Sequence, residues 1–489
     1  MDHGVVESPT AATRAAAGLL TAVSAFLYVT LRVVNANDYS FWADEVFSIG
    51  VAGQGWGQIL ETIRNDVVHP PLYYLILKAW RDVGGSSELY LRFLSVAAAT
   101  LALVPLTRAA MMVGGGARSV LLLILLAGFN VYLIEYADQV RPYAFAFLWS
   151  AWSTKLFLEL LLARKWSLSL GLRTSLCNLL LLYTHFFGAL LLAAQGLALL
   201  YSQRSLVLGW FGSAAVVGLG LIPWLAYVYP ALAAQNGIQG ISWIEPPVWQ
   251  DLFRFFETLT GHWDVPGSTA LSLLVFAVPI AWFCLGSRVQ ARDEVASSIS
   301  VGVELAICLA FPVLAAFGAT LLLPETPPWQ PRYLIICAPA FLVLYSAAIA
   351  QVSRRSLAIG MAAVGVAWVS GSYIAAPPAR ESHPDFRTLV REYVAAPVHS
   401  DLVAISWFVA LPLDYYVGNT GAVLRSIPAE ARNGGATFWL ALRAPPGEVE
   451  RKSRELMGGG CRVELRARTR GPDYEIGLSR VTCALVPTG

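Results

Sequence analysis

Apolar residues dominate this chain in long runs, each near the roughly 20 residues that cross a bilayer. The runs predict spans at 15–35, 90–112, 118–135, 142–163, 168–184, 186–203, 206–229, 268–287, 299–323, 332–350 and 355–376, about eleven in all. After about residue 380 the pattern changes to charged residues with short alternating apolar runs. Residues 386–395 and 448–456 read as helices there, and 402–408, 422–425, 437–442, 461–468 and 474–485 as strands. The expected architecture is an α-helical polytopic membrane protein with a small C-terminal α/β domain. Its parts are a cytoplasmic tail at 1–14, a membrane domain at 15–379 and an extracytoplasmic domain at 380–489.

Composition supports the membrane assignment. Of 489 residues, 56% are hydrophobic and 13% charged, against about 25% charged in soluble domains. The net charge of +2 offers no broad basic surface for nucleic acid. Four of the six cysteines (Cys177, Cys284, Cys308, Cys337) fall in apolar runs and read as small buried hydrophobes. Cys461 and Cys483 lie in the polar C-terminal part and can pair if that part is outside the cell. No small-residue cleavage site follows the first apolar run, which reads as a retained signal-anchor.

Charge sets the expected orientation. With a cytoplasmic N-terminus, the inner loops hold Arg108 and Arg118, Arg164 and Lys165, Arg204, Arg288 and Arg292, and Arg354 and Arg355. The outer connections are then 36–89, 136–141, 185, 230–267, 324–331 and everything after 376. The first outer loop keeps Arg64, Lys78 and Arg81, an exception that long loops tolerate.

The residues with chemistry gather on that outer side. The first loop opens Phe41-Trp42-Ala43-Asp44-Glu45 and continues Asp66-Val67-Val68-His69-Pro70-Pro71-Leu72-Tyr73-Tyr74. Amphipathic stretches at 58–64 and 72–81 suit the membrane interface. Adjacent carboxylates at a span exit suit general-base work on an acceptor hydroxyl; alternatively, Asp44 caps a helix beginning near Glu45. Arg141, in Arg141-Pro142-Tyr143, suits a phosphate or a salt bridge to Glu135 or Asp138. Arg332, in Pro331-Arg332-Tyr333, is a second phosphate clamp or a snorkelling interface residue. His185, in Tyr183-Thr184-His185-Phe186, is structural or binds metal or phosphate. His262-Trp263-Asp264 lies in an aromatic loop that reads as an interfacial helix or lid, or as a plain aromatic belt.

An Asp-Glu pair after a span, followed by Asp-x-x-His-Pro-Pro-Leu-Tyr-Tyr, resembles the GT-C superfamily of bacterial membrane glycosyltransferases. The resemblance is to the branch of protein O-mannosyltransferases and lipid A aminoarabinose transferases, and it covers about 40–400. It extends through Arg141-Pro142-Tyr143, Tyr183-Thr184-His185-Phe186, Pro331-Arg332-Tyr333 and the segment opening Pro384-Asp385-Phe386. It implies an inverting transferase of the bacterial inner membrane that uses a polyprenyl-monophosphate sugar. Asp44 would be the base and Glu45 would orient the acceptor or a metal. Asp66, His69, Arg141, Tyr143, His185, Arg332 and Tyr333 would serve the donor. No cofactor is required by the resemblance; a divalent metal would draw on Glu45, His69, His185 or His262. The acceptor is open among lipid, glycan and protein. A lipid-linked-sugar transporter is the competing class, and it predicts charges near the bilayer midplane and broken helices.

Overall fold

The structure is a computed structural model. It describes residues 11–36, 39–113, 116–235, 244–261, 263, 265–290, 301–322, 328–375, 384–396, 400–418, 423–427, 436–458, 461–471 and 474–483.

Helix α1 (Ala11–Ala36) leads into three short helices, α2 (Ala43–Ala52), α3 (Trp56–Asp66) and α4 (Leu72–Gly84). The two amphipathic stretches of the first loop are thus helices, as their pattern predicts. The bundle continues through α5 (Glu88–Leu101), α6 (Leu103–Met112), α7 (Gly116–Phe129), α8 (Val131–Ala137), α9 (Tyr143–Ala163), α10 (Leu168–Thr184), α11 (Gly188–Ser202) and α12 (Arg204–Ala234). The aromatic loop folds as α13 (Gln250–Thr260). It is followed by α14 (Ser268–Ser272), a π-turn at Leu273–Ala277, α15 (Val278–Gln290) and α16 (Gly302–Leu322). A 3-10 segment, Pro331–Cys337, enters α17 (Ala338–Ala350), and α18 (Arg355–Ala375) closes the bundle.

Among the described residues, eight helices are long and apolar enough to cross a membrane, or nine if the bent pair α7–α8 is one span. The expected count of eleven is therefore not reproduced by length and composition. Helices α10 and α11 have 17 and 15 residues, below the roughly 20 of a typical span. The expected span 118–135 breaks by 67° at Asn130, whose side chain caps α8 by accepting from Leu133 N at 2.9 Å. Fully buried Arg32 of α1 donates to the carbonyls of Ala127 and Gly128 at the end of α7, supplying partners that the break would otherwise leave unmet. Many large apolar side chains on the spans face outward, Phe26, Leu208, Leu219 and Leu321 among them. Lipid is the solvent that suits such a surface.

The C-terminal part is a five-stranded sheet in the order β2-β1-β3-β5-β4. Its strands are β1 (Leu402–Ala404), β2 (Val423–Leu424), β3 (Thr437–Ala444), β4 (Cys461–Arg470) and β5 (Glu475–Cys483). The first three run parallel, and β3–β5 and β5–β4 are antiparallel. Helices α19 (Phe386–Val394) and α20 (Trp407–Val417) pack on one face, and α21 (Val449–Met457) on the other. Cys461 and Cys483 are cross-strand partners joined by a disulfide. The strand expected at 402–408 stops at Ala404, because Ser406 takes an extended N-cap conformation and starts α20.

Candidate active site

Helix α2 begins at Ala43, with Trp42 at the N-cap position. Asp44 therefore lies inside the first turn and is not the cap. It is Glu45, three residues past Trp42, that accepts from the Trp42 backbone N–H at 3.4 Å. Glu45 is fully buried. Its carboxylate takes Arg92 Nε at 3.0 Å and Val140 N at 2.9 Å on one oxygen, and an Arg92 terminal nitrogen at 2.8 Å on the other. Arg92 reaches on to the carbonyls of Ala36, Tyr39 and Ser40. One ion pair thus ties the end of α1, the start of α2, helix α5 and the turn before α9. Arg92 was not among the expected site residues. Its signal was an arginine just inside an apolar run, where a charge needs a partner.

That tie sets Asp44 opposite two cations. Its Oδ2 lies 3.8 Å from an Arg141 terminal nitrogen and 3.6 Å from one of Arg332. Arg141 turns away from the Glu135 and Asp138 partners considered from sequence. It donates instead to the Asp44 carbonyl and to Ser48 Oγ, both at 3.3 Å. Its other terminal nitrogen meets His69 Nε2 at 3.0 Å. A guanidinium only donates, so Nε2 accepts and the His69 proton sits on Nδ1. From there it is donated to Asp66 Oδ2 at 2.7 Å. Asp66 also accepts the His69 backbone N–H at 3.1 Å. Burial alone would raise the Asp66 pKa, but these contacts and the charge of Arg141 hold it below its ordinary value. Val67, between the two, is held at φ 55°. This is a strained conformation for a β-branched residue, and the chain there turns from α3 back to His69.

Behind the cations stands an aromatic wall. The His185 ring lies 6.0 Å from Tyr143 and 5.3 Å from Tyr333, and Arg332 lies over the Tyr333 ring at 5.8 Å. Tyr143 is buried and lies beneath Arg141 at 5.9 Å. Burial, and then the charges of Arg141 and Arg332, push the His185 pKa down to about 3. A neutral imidazole is what such surroundings permit. Its Nδ1 accepts the Phe187 N–H at 3.3 Å. Eight of the nine expected catalytic and donor-binding residues therefore fall in one connected cluster, with Glu45 as the buried strut beside it.

The metal candidates do not converge. Both oxygens of Glu45 and both ring nitrogens of His69 are taken by protein partners. His262 and Asp264 lie outside the described residues. Among the described residues, no group of three or more His, Cys, Asp or Glu side chains is placed to hold a metal ion. The described residues do not fit that group.

The C-terminal domain holds the other side of the Asp44 segment. Ser40 Oγ donates to Pro384 O and accepts from Phe386 N, each at 2.9 Å. The Phe41 N–H donates to Tyr416 Oη at 2.7 Å, and Tyr416 in turn donates to Glu88 at 2.7 Å. Arg387 pairs with Glu88 and donates to Tyr39 O at 2.9 Å. None of these links was anticipated from the sequence.

Long apolar helices, three short helices after the first of them and a small C-terminal sheet domain make this a polytopic membrane protein. Among solved structures, the chain is similar to ArnT from Cupriavidus metallidurans in the apo state. The identity is 13%, the TM-score 0.56, and the match covers 96% of this chain and 98% of that one. It is likewise similar to the same protein bound to undecaprenyl phosphate, at 11% identity and TM-score 0.55 over 94% and 97% of the two chains. The archaeal oligosaccharyltransferase AglB from Archaeoglobus fulgidus matches at 12% identity and TM-score 0.45, over 85% of this chain and 65% of that one. No family model and no curated protein matches the chain in sequence.

Proposed function

We propose that this protein is a membrane glycosyltransferase that moves a sugar from a polyprenyl monophosphate to an acceptor hydroxyl, with inversion at the anomeric carbon. The observation that carries the proposal is the Asp44 carboxylate within 4 Å of both Arg141 and Arg332. The acceptor oxygen forms a bond to the anomeric carbon while its proton passes to Asp44. The bond from that carbon to the phosphate oxygen breaks, and its electron pair stays on the phosphate. Arg141 and Arg332 stabilise the growing negative charge. Their contacts to Asp44, 3.8 and 3.6 Å, are longer than the roughly 2.7–2.9 Å of a closed charge-assisted bond, which leaves a phosphate able to compete for them. The similar ArnT structure holds undecaprenyl phosphate, the class of lipid these cations suit. Glu45, wholly enclosed, acts here as a positioning residue.

The site and the C-terminal domain are assigned to the extracytoplasmic side of a bacterial inner membrane. The basic inner loops support this orientation, as does the Cys461–Cys483 disulfide. Transport of a lipid-linked sugar would use a mobile broken helix. The break at Asn130 has its carbonyls met by Arg32, and what favours the transferase is the pairing of Asp44 with Arg141 and Arg332 at the span ends.

The test is transfer by the purified protein from a panel of polyprenyl-phosphate sugars to envelope extracts, with product mass as the readout. Asp44→Asn is expected to insert and fold normally and to lose about 10²–10⁴ in turnover. Turnover retained in that variant removes Asp44 as the base.

A further inference from the structure

Trp407 begins helix α20 and is 57% exposed. Ile405 beside it is also exposed, and Phe408 is half-buried. Neighbouring exposed apolar side chains on a domain of otherwise polar surface mark a place where something else binds.

The patch is joined to the catalytic chamber by a ladder of rings and cations. Arg332, 3.6 Å from Asp44, also lies 5.9 Å from the Trp42 ring centre. The Trp42 ring lies 6.2 Å from Phe408, which is 6.2 Å from Trp407 and 5.8 Å from Tyr474. On the far side, exposed Arg443 lies over Tyr474 at 3.9 Å and over Phe408 at 4.9 Å. These contacts stiffen the group. Trp42 and Arg332 come from the membrane domain, and Trp407, Phe408, Tyr474 and Arg443 from the C-terminal domain.

We propose that Trp42, Phe408 and Trp407 form an acceptor subsite, and that it binds the face of a sugar ring in a carbohydrate acceptor. A pyranose or furanose ring has an apolar C–H face and a polar hydroxyl rim. The exposed Trp407 ring, braced edge-on by Phe408 at 81° between their planes, covers such a face at low entropic cost while the hydroxyls stay in water. The donor lipid approaches from the bilayer, whereas Trp407 belongs to the C-terminal domain, which the orientation proposed above assigns to the extracytoplasmic side, so its occupant arrives from there. The word acceptor rests on the transferase function proposed above; the sugar chemistry of the platform does not.

The test uses the full chain in nanodiscs and saturation-transfer NMR observed on the ligand. The probes are soluble mannan, glucan and arabinogalactan oligosaccharides, a short-chain lipid-linked disaccharide, and a Ser/Thr-rich peptide as comparator. At least one saccharide should receive saturation on its ring C–H protons. The effect should fall at least fivefold in Trp407→Ala and recover in Trp407→Phe, with the melting temperature unchanged. Loss in both the free and lipid-linked arms assigns the platform to the ring itself; loss in one arm names the source of the ring. The proposal is overturned if no saccharide binds the wild-type chain, if Trp407→Ala binds as well as wild type, or if only the peptide binds. It is also overturned if Trp407→Ala changes bilayer insertion while saccharide binding stays intact. Saccharide binding through Trp407 without transfer from any polyprenyl-phosphate sugar leaves the sugar platform standing and removes the transferase function.

Discussion

Arg92 holds Glu45 by two parallel hydrogen bonds, 3.0 and 2.8 Å long, with neither side chain exposed. Removing one member of such a pair leaves a buried charge unmet, at a cost of about 3–5 kcal/mol. Arg92→Ala should lower the melting temperature sharply and abolish turnover. Glu45→Gln keeps the shape and one acceptor oxygen but sets an NH2 against an Arg92 or Val140 donor and removes the charge, so it should also lower the melting temperature. The two variants measured by thermal unfolding, with the double variant, give the coupling. Additive losses would mean that the pair is not the tie described here.

Arg141 and Arg332 both face Asp44 but differ in support. Arg141 is held by His69, Ser48 and the Asp44 carbonyl, whereas Arg332 sits among the rings of Trp42 and Tyr333. A hydrogen bond to a charged group is worth about 1.5–3 kcal/mol, roughly 10–150-fold in binding. Lysine at either position should weaken polyprenyl-phosphate binding by that order, as measured by titration in detergent. Because His69 orients Arg141, His69→Ala should produce part of the Arg141 defect and add little to Arg141→Lys. Unchanged donor affinity in both lysine variants would leave the arginines as structural partners of Asp44.

Asp66 carries a pH signature. Its pKa in the folded chain lies below the ordinary value of 3.8, so the carboxylate form is favoured by folding. The stabilisation is fully present above that ordinary value and is lost as pH falls through the lower folded value. Asp66→Asn should therefore melt below wild type near neutral pH, and the two curves should converge in acid below about pH 4. A constant gap down through that range would show that Asp66 does not draw on its charge.

Tyr416 links the C-terminal domain to the segment just before Asp44, through Phe41 N and Glu88. Tyr416→Phe removes one hydroxyl and keeps the ring contact. Turnover should fall several-fold with donor affinity little changed, because the base moves while Arg141 and Arg332 do not. Equal loss in both measurements would point to general destabilisation.

Much of this was legible in one dimension. Apolar run length carries the membrane domain, since a crossing must satisfy its backbone internally over about 20 residues. The amphipathic period yields α3 and α4, and alternation yields β3, β4 and β5. The segments that carry the chemistry were legible as residue types: an Asp-Glu pair, Asp-x-x-His-Pro-Pro and two Arg-bearing connections. Their division of labour was not. Adjacent Asp44 and Glu45 look equivalent in sequence, and only helix phase sends one toward two arginines and the other into the protein beneath. The pairings of Arg92 with Glu45 and of Phe41 with Tyr416 were not legible because the partners lie 47 and 375 residues apart along the chain. The 402–408 segment misled because a short apolar run fits strand and helix alike.

By itself the sequence determined a polytopic membrane chain with a polar C-terminal domain and a set of acidic, basic and histidine residues at span ends, because those properties depend on local composition and period. Tertiary structure alone decided that loops from four separate helix connections close on Asp44, that Glu45 is a strut, and that the C-terminal domain supplies aromatic rings to the rim of the site. These are long-range contacts, and their pairing is set by how the helices pack, which no local pattern encodes.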